Sequence, residues 1–142
     1  MSGAAALVAP PNFSQVESGV YRSGEPKAAH LAFLSALGLK TVVSLGGNNA
    51  PNQEVKDFYA SAGITLIFHD LARGNRKHNI HADRDTTARA LETLMDKANH
   101  PVLLHCKKGK HRTGCIIGLL RKQRGWAFSN IFTEYCSFEP QA

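Results

Sequence analysis

The sequence predicts a single α/β domain in which a central, mostly parallel sheet of four to five strands is flanked by helices. Short β-branched or apolar runs alternate with longer segments whose apolar residues recur at helical spacing, the pattern of strand, helix and parallel return strand. Glycine or proline stands at most boundaries between these segments. No internal repeat, low-complexity tract or linker divides the 142 residues, and a chain of this length suits one hydrophobic core.

Residues 1–11 are expected to form a flexible N-terminal tail and residues 12–142 the folded domain. Gly19 to Gly24 encloses a short strand, and Pro26 stands where the first turn of a helix tolerates proline. Leu31, Leu34 and Leu37 continue that helix to its stop at Gly38. Lys40 to Leu45 (KTVVSL) reads as a buried strand. A helix fits Pro51 to Ala62, and Ile64 to Phe68 (ITLIF) is the next buried strand, followed by a polar segment, His69 to His81. Ala88, Leu91, Leu94 and Met95 give the helical period for Asp83 to Ala98, which Pro101 bars from continuing. Val102-Leu103-Leu104 is a further strand, and Thr113 to Gln123 and Phe128 to Phe138 read as the last helices.

Seventeen Lys and Arg against eleven Asp and Glu leave a net charge of +6, which points to an anionic partner. No apolar run approaches the roughly 20 residues of a membrane-spanning helix, and the N-terminus lacks the features of a secretory signal. Stacking aromatics do not interleave with the basic residues, which argues against nucleic acid. The three cysteines, Cys106, Cys115 and Cys136, are an odd number without CxxC pairing. That disfavours a disulfide framework or zinc site and fits a reducing cytoplasmic or nuclear setting.

One loop combines residues with a shared chemistry: His105-Cys106-Lys107-Lys108-Gly109-Lys110-His111-Arg112-Thr113-Gly114. It lies between the carboxyl end of a strand and the amino end of a helix, where α/β folds place ligands. A thiolate at Cys106 would be the nucleophile, its pKa lowered by neighbouring cations and the helix dipole. Successive backbone N–H groups of such a loop can converge on phosphate oxygens, and Gly109 permits the backbone conformations this needs. Arg112 can clamp two oxygens with its planar fork, which lysine could not. Thr113 can offer its hydroxyl to the sulfur, easing its departure when water hydrolyses a phosphocysteine. His105 is expected to orient the loop from behind. A metal held by His105, Cys106 and His111 is disfavoured, because three of the four intervening residues are lysines that would repel a cation.

This signature, and the longer stretch HCKKGKHRTGCIIGLLRK, resembles the plant and fungal atypical dual-specificity phosphatases, within the cysteine-based protein tyrosine phosphatase superfamily. Agreement extends to Asn12-Phe13, Val20-Tyr21-Arg22-Ser23-Gly24-Glu25-Pro26, Gly74-Asn75, Asn99-His100-Pro101 and Ile131-Phe132-Thr133-Glu134-Tyr135. The resemblance implies a dual-specificity phosphatase-like fold and, without metal or other cofactor, hydrolysis of inositol pyrophosphates, chiefly the β-phosphate at the 5-position. Phosphoproteins are the alternative substrates, since the family also acts on phosphotyrosine. Lys107, Lys108, Gly109, Lys110 and His111 are then substrate-binding residues, with Arg73, Arg76 and Lys77 as an outer group or, equally, a solvated loop. A silent polyphosphate binder would share this basic surface, but the intact Cys106, Arg112 and Thr113 count against silence. Arg121, Lys122 and Arg124 read as an exposed helix end, Cys115 and Cys136 as core thiols; a disulfide between Cys115 and Cys106 is the alternative for the former.

Related phosphatases protonate the leaving group with an Asp upstream of the cysteine. Asp70 is the first candidate, although His69-Asp70-Leu71-Ala72-Arg73 departs from the family pattern; Asp83 and Asp85 fall where a helix start would use them as caps. A tyrosine leaving group, with a pKa of about 10, needs a proton, whereas a departing phosphate, with its last pKa near ~6, needs one far less. Asp70→Asn is therefore expected to slow hydrolysis of aryl phosphates with basic leaving groups far more than hydrolysis of a pyrophosphate. Steady-state kinetics on both substrate types measures this, and equal losses would remove Asp70 from the role.

Overall fold

A computed structural model describes residues 6–46, 51–71 and 80–138. Five strands, Ser14–Glu17 (β1), Val20–Ser23 (β2), Thr41–Ser44 (β3), Thr65–Phe68 (β4) and Val102–His105 (β5), form one sheet in the order β1-β2-β5-β3-β4. β2, β5, β3 and β4 run parallel, and β1 pairs antiparallel with β2. The central strands β3 (TVVS) and β5 (VLLH) are buried at every position, as strands covered on both faces require.

The pleat sends alternate residues to opposite faces. Val42 and Leu103 pack on Leu34 of α1 (Leu31–Leu37) and on Val55 and Tyr59 of α2 (Gln53–Ser61). Val20, Val43, Val102 and Leu104 pack on Ala90 and Leu94 of α3 (Ile80–Met95) and on Ile116, Ile117 and Leu120 of α4 (His111–Gln123). Burying each of the Val, Leu and Ile side chains contributes about 1.5–3 kcal/mol, so both faces of β5 are anchored. β2 is followed by α1 on one face, and β5 by α4 on the other. This divergence opens a crevice at the carboxyl ends of the strands, where Ser23, His105 and Ser44 lie side by side in register.

The α/β class, the mostly parallel sheet and four of the strands agree with the sequence reading, and three local expectations are corrected. The sequence pattern misses β1, because SQVE carries one apolar residue, Val16, and lies on the sheet edge. The third helix begins at Ile80, inside the expected polar segment. Asp83 and Asp85 are consequently its fourth and sixth residues rather than N-caps. The helix ending at Gln123 also has a different role at its C-terminus from the one its charge implied. Arg121 is buried: Nε and Nη2 donate to the Glu134 carboxylate at 3.1 and 2.8 Å, and Nη1 donates to the Val16 carbonyl at 2.9 Å. Its guanidinium also lies 4.1 Å from the centre of the Trp126 ring.

Arg121 thus joins α4 to β1 and to α5 (Phe128–Ser137), which by itself offers no fully buried residue. Arg124 pairs with Glu17 at 2.8 Å on the more exposed rim, and Lys122 is exposed. Arg121→Ala strands the partly buried Glu134 and frees the Val16 carbonyl, so it is expected to cost about 2–4 kcal/mol. Lys122→Ala should stay within about 0.5 kcal/mol of the parent. Denaturant unfolding of the two variants measures the difference.

Candidate active site

The turn from β5 into α4 folds back over the sheet end and encloses the Cys106 sulfur. Cys106 is 3% exposed and lies at a cavity of about 140 Å³ lined by Cys106, Lys107, Lys108, His111 and Arg112. The Gly109 N–H donates to Sγ at 3.2 Å. Gly109 has φ +77°, and a Cβ there would lie 2.5 Å from the Gly24 nitrogen and 2.6 Å from the Ser23 carbonyl carbon. Glycine is therefore required twice, for its left-handed backbone and for its contact with the end of β2.

Burial pushes the Cys106 thiol pKa up, but the Thr113 hydroxyl and N–H, the Gly109 N–H and the Arg112 charge outweigh it, leaving the pKa below the ordinary thiol value. The Thr113 hydroxyl is fully buried and has no partner of regular hydrogen-bond geometry, so the sulfur is the group it serves. Arg112 lines the cavity while its Nη1 donates to the Leu45 carbonyl at 2.7 Å, which braces the guanidinium against the end of β3. His105, 1% exposed, is pushed by burial down to a pKa of about 4. It is neutral near pH 7 and sits behind the loop, without a regular partner on either ring nitrogen.

Lys107 and Lys108 are exposed at the cavity rim. Lys110 is the N-cap residue of α4 and does not line the cavity. His111 does, with Nδ1 2.9 Å from the Tyr135 hydroxyl of α5. Asp70 is exposed beyond the carboxyl end of β4. It follows β4, which lies two strands from β5 in the sheet, and is absent from the cavity lining. Arg73, Arg76 and Lys77 lie outside the described residues. Among the described residues, no cluster of three or more His, Cys, Asp or Glu is arranged to hold a metal.

Two residues that hold the loop escaped the motif reading. Asn12 Nδ2 donates to the Lys108 carbonyl at 2.9 Å, and Arg22 Nη2 donates to the Gly109 carbonyl at 3.1 Å. Only their presence in stretches shared with the resembling family singled them out. Cys115 differs from its expected place in the core: it is exposed and lines an apolar groove with Phe128, Ile131 and Phe132. Cys136 is half-buried.

The site can hold a tetrahedral oxyanion between cations and N–H donors, with a thiolate against its central atom. Burial and the neighbouring Cys106 push the Cys115 thiol above its ordinary pKa, the opposite direction to Cys106. Iodoacetamide should therefore alkylate Cys106 faster than Cys115 at pH 7, by less than about tenfold for each unit that separates their pKa values, because a thiolate of lower pKa is also a weaker nucleophile. Cys115 should gain on it once the pH passes the Cys106 pKa, because Cys106 is then ionised while Cys115 is still gaining thiolate. Mass spectrometry of time-quenched samples checks the order.

The family model described as "Tyrosine phosphatase family" matches residues 7–142. The chain is 43% identical over 129 residues to inositol diphosphatase DSP5 of Arabidopsis thaliana, covering 91% of this chain and 62% of the relative. It is 42% identical over 137 residues to inositol diphosphatase DSP1 of Oryza sativa subsp. japonica, covering 96% and 61%. The chain thus spans about three fifths of the length of these curated relatives. The crystal structure of the core catalytic domain of the PP-IP phosphatase SIW14 from S. cerevisiae, in complex with citrate, superposes with a TM-score of 0.86 at 36% identity, covering 96% of this chain and 82% of that one. Sequence, fold and loop agree: the chain belongs to the tyrosine phosphatase family, in its plant and fungal atypical dual-specificity branch.

Proposed function

We propose that this chain is a cysteine phosphatase that hydrolyses inositol pyrophosphates, removing the β-phosphate, at the 5-position, through a phosphocysteine intermediate. The observation that carries this reading is the buried, acidified Cys106 thiol at a small cavity whose other lining residues are Lys107, Lys108, His111 and Arg112. Relatives named inositol diphosphatases and the PP-IP phosphatase SIW14 support the substrate class.

In the proposed reaction the Cys106 thiolate attacks the β-phosphorus. The anhydride P–O bond breaks, and its electron pair leaves with the phosphate that remains on the inositol ring. Inward N–H groups of the loop and the Arg112 guanidinium hold the equatorial oxygens as charge spreads over them. Water then attacks the phosphocysteine, the S–P bond breaks, and the thiolate leaves with its electron pair, stabilised by the Thr113 hydroxyl. Because the first leaving group is a weakly basic phosphate, with a last pKa near ~6, the step does not depend on a strong general acid. The absence of Asp70 from the cavity lining is compatible with that. A working thiolate also calls for a reducing compartment, cytoplasmic or nuclear.

Lys107 and Lys108 add positive charge around one small cavity that His111 also lines, which favours a ring crowded with phosphates over an isolated phosphotyrosine. kcat/KM for a 5-diphosphoinositol polyphosphate is expected to exceed that for a phosphotyrosine peptide by about 100-fold, a difference of about 2.7 kcal/mol in transition-state binding. Cys106→Ser should abolish turnover while retaining substrate binding. A peptide preference would favour a phosphoprotein phosphatase, and full activity of Cys106→Ser would overturn the covalent mechanism.

A further inference from the structure

Three consecutive carbonyls after Cys106 point away from the cavity, each held by a donor from the N-terminal part of the chain. The Lys107 carbonyl accepts from the Glu25 N–H at 3.0 Å, the Lys108 carbonyl from Asn12 Nδ2 at 2.9 Å, and the Gly109 carbonyl from Arg22 Nη2 at 3.1 Å. The peptide units here are trans, so the C=O and N–H of each point in opposite directions. Holding the Lys108 carbonyl outward aims the Gly109 N–H inward, where it meets Cys106 Sγ at 3.2 Å. By the same geometry the N–H groups of Lys108 and Lys110 point opposite to the held carbonyls of Lys107 and Gly109. A flip of either outer peptide would present a carbonyl oxygen to the thiolate and the substrate oxygens.

We propose that Asn12 and Arg22, neither of which lines the cavity, are positioning residues that set the loop in its anion-binding conformation by holding its carbonyls outward. The proposal rests on the reading of this loop as the phosphatase site. Arg22 is 1% exposed, and burying a guanidinium costs free energy that an apolar residue would avoid. Its one direct hydrogen bond among the described residues is to Gly109, its Nε has no partner, and its guanidinium lies 3.7 Å from the centre of the Phe138 ring. A buried charge so sparsely satisfied calls for an explanation, and the loop carbonyl supplies it. Asn12 has φ +56°, which asparagine tolerates and glycine would adopt freely. What asparagine adds over glycine is the amide that reaches Lys108. The surroundings leave no slack: Gly24 N–H donates to the Pro11 carbonyl at 2.7 Å, and a Cβ on Gly24 would lie 3.0 Å from both Lys108 and Pro11.

The test compares the parent with Asn12→Gly, which keeps the backbone conformation and removes the donor, and with Arg22→Met and Arg22→Lys. Tungstate binding by calorimetry, the pH dependence of Cys106 alkylation, kcat and KM on a diphosphoinositol polyphosphate and on an aryl phosphate, and Tm are measured for each. Asn12→Gly is expected to weaken tungstate roughly tenfold, the loss of one charge-assisted contact's orientation. It should also move the alkylation midpoint up by about one pH unit and lower kcat/KM on both substrates alike. Arg22→Met should do the same or more, and Arg22→Lys should recover part of the loss. A fall in Tm with unchanged tungstate affinity and alkylation profile would make these residues merely structural and overturn the proposal. If Arg22→Met does not fold, Asn12→Gly decides. A parent that binds no tungstate and cleaves neither substrate would overturn the phosphatase reading and this one together, whereas an active parent with unaltered variants overturns this one alone.

Discussion

Easing the ionisation of a buried thiol is the constraint around which this structure is arranged. A buried thiol resists ionisation, and at Cys106 burial is the largest single influence on the pKa. The opposing influences are the hydrogen bonds of the Gly109 N–H and the Thr113 N–H and hydroxyl, and the charge of the Arg112 guanidinium. Each depends on a backbone segment being in one place. The loop must turn at a left-handed glycine, α4 must start with its free N–H groups toward the sulfur, and Arg112 must be braced on Leu45. A parallel sheet meets these demands together, because β5 ends between β2 and β3 and both neighbours supply contacts to the loop.

The same arrangement explains why polar and charged side chains are buried at the sheet end in a small domain. Ser23, Ser44 and His105 share one register row beneath the loop. His105 is kept neutral by burial, so it adds bulk and polarity beneath the site without adding charge. Arg22 and Arg121 are the buried cations among the described residues. Arg22 bonds the loop, and Arg121 bonds Glu134 and Val16. One arginine secures the site, and the other ties the sheet edge and α5 to the helix whose amino end faces the sulfur.

Above the sulfur the charges add little to the fold. Lys107 and Lys108 have exposed side chains and contribute little to packing, while His111 is held near Tyr135. Such a rim draws a densely charged ligand and discriminates less finely among uncharged parts of it. In the proposed reaction the leaving phosphate departs without a strong acid, so a cavity rich in cations and lacking a carboxylate in its lining is chemically consistent.

The linear chain already carried the α/β class, four of the five strands and the strand-to-helix loop at Cys106. Hydrophobic periodicity is a local signal, and Cys106, Arg112 and Thr113 lie within one turn and one helix start. The edge strand β1 has only Val16 to announce it, and its place was decided by pairing with β2. Asp83 and Asp85 looked like caps until the helix began at Ile80. Arg121 looked solvated because nothing in the neighbouring sequence names Glu134 or Val16 as partners. Asn12 and Arg22 stand 96 and 87 residues from the carbonyls they hold. Cys106 and the chemistry its loop supports were thus set by residues adjacent in sequence. Which way that loop's carbonyls face was set by residues brought near only by the fold, because a hydrogen-bond partner across the sheet leaves no periodic trace in the sequence.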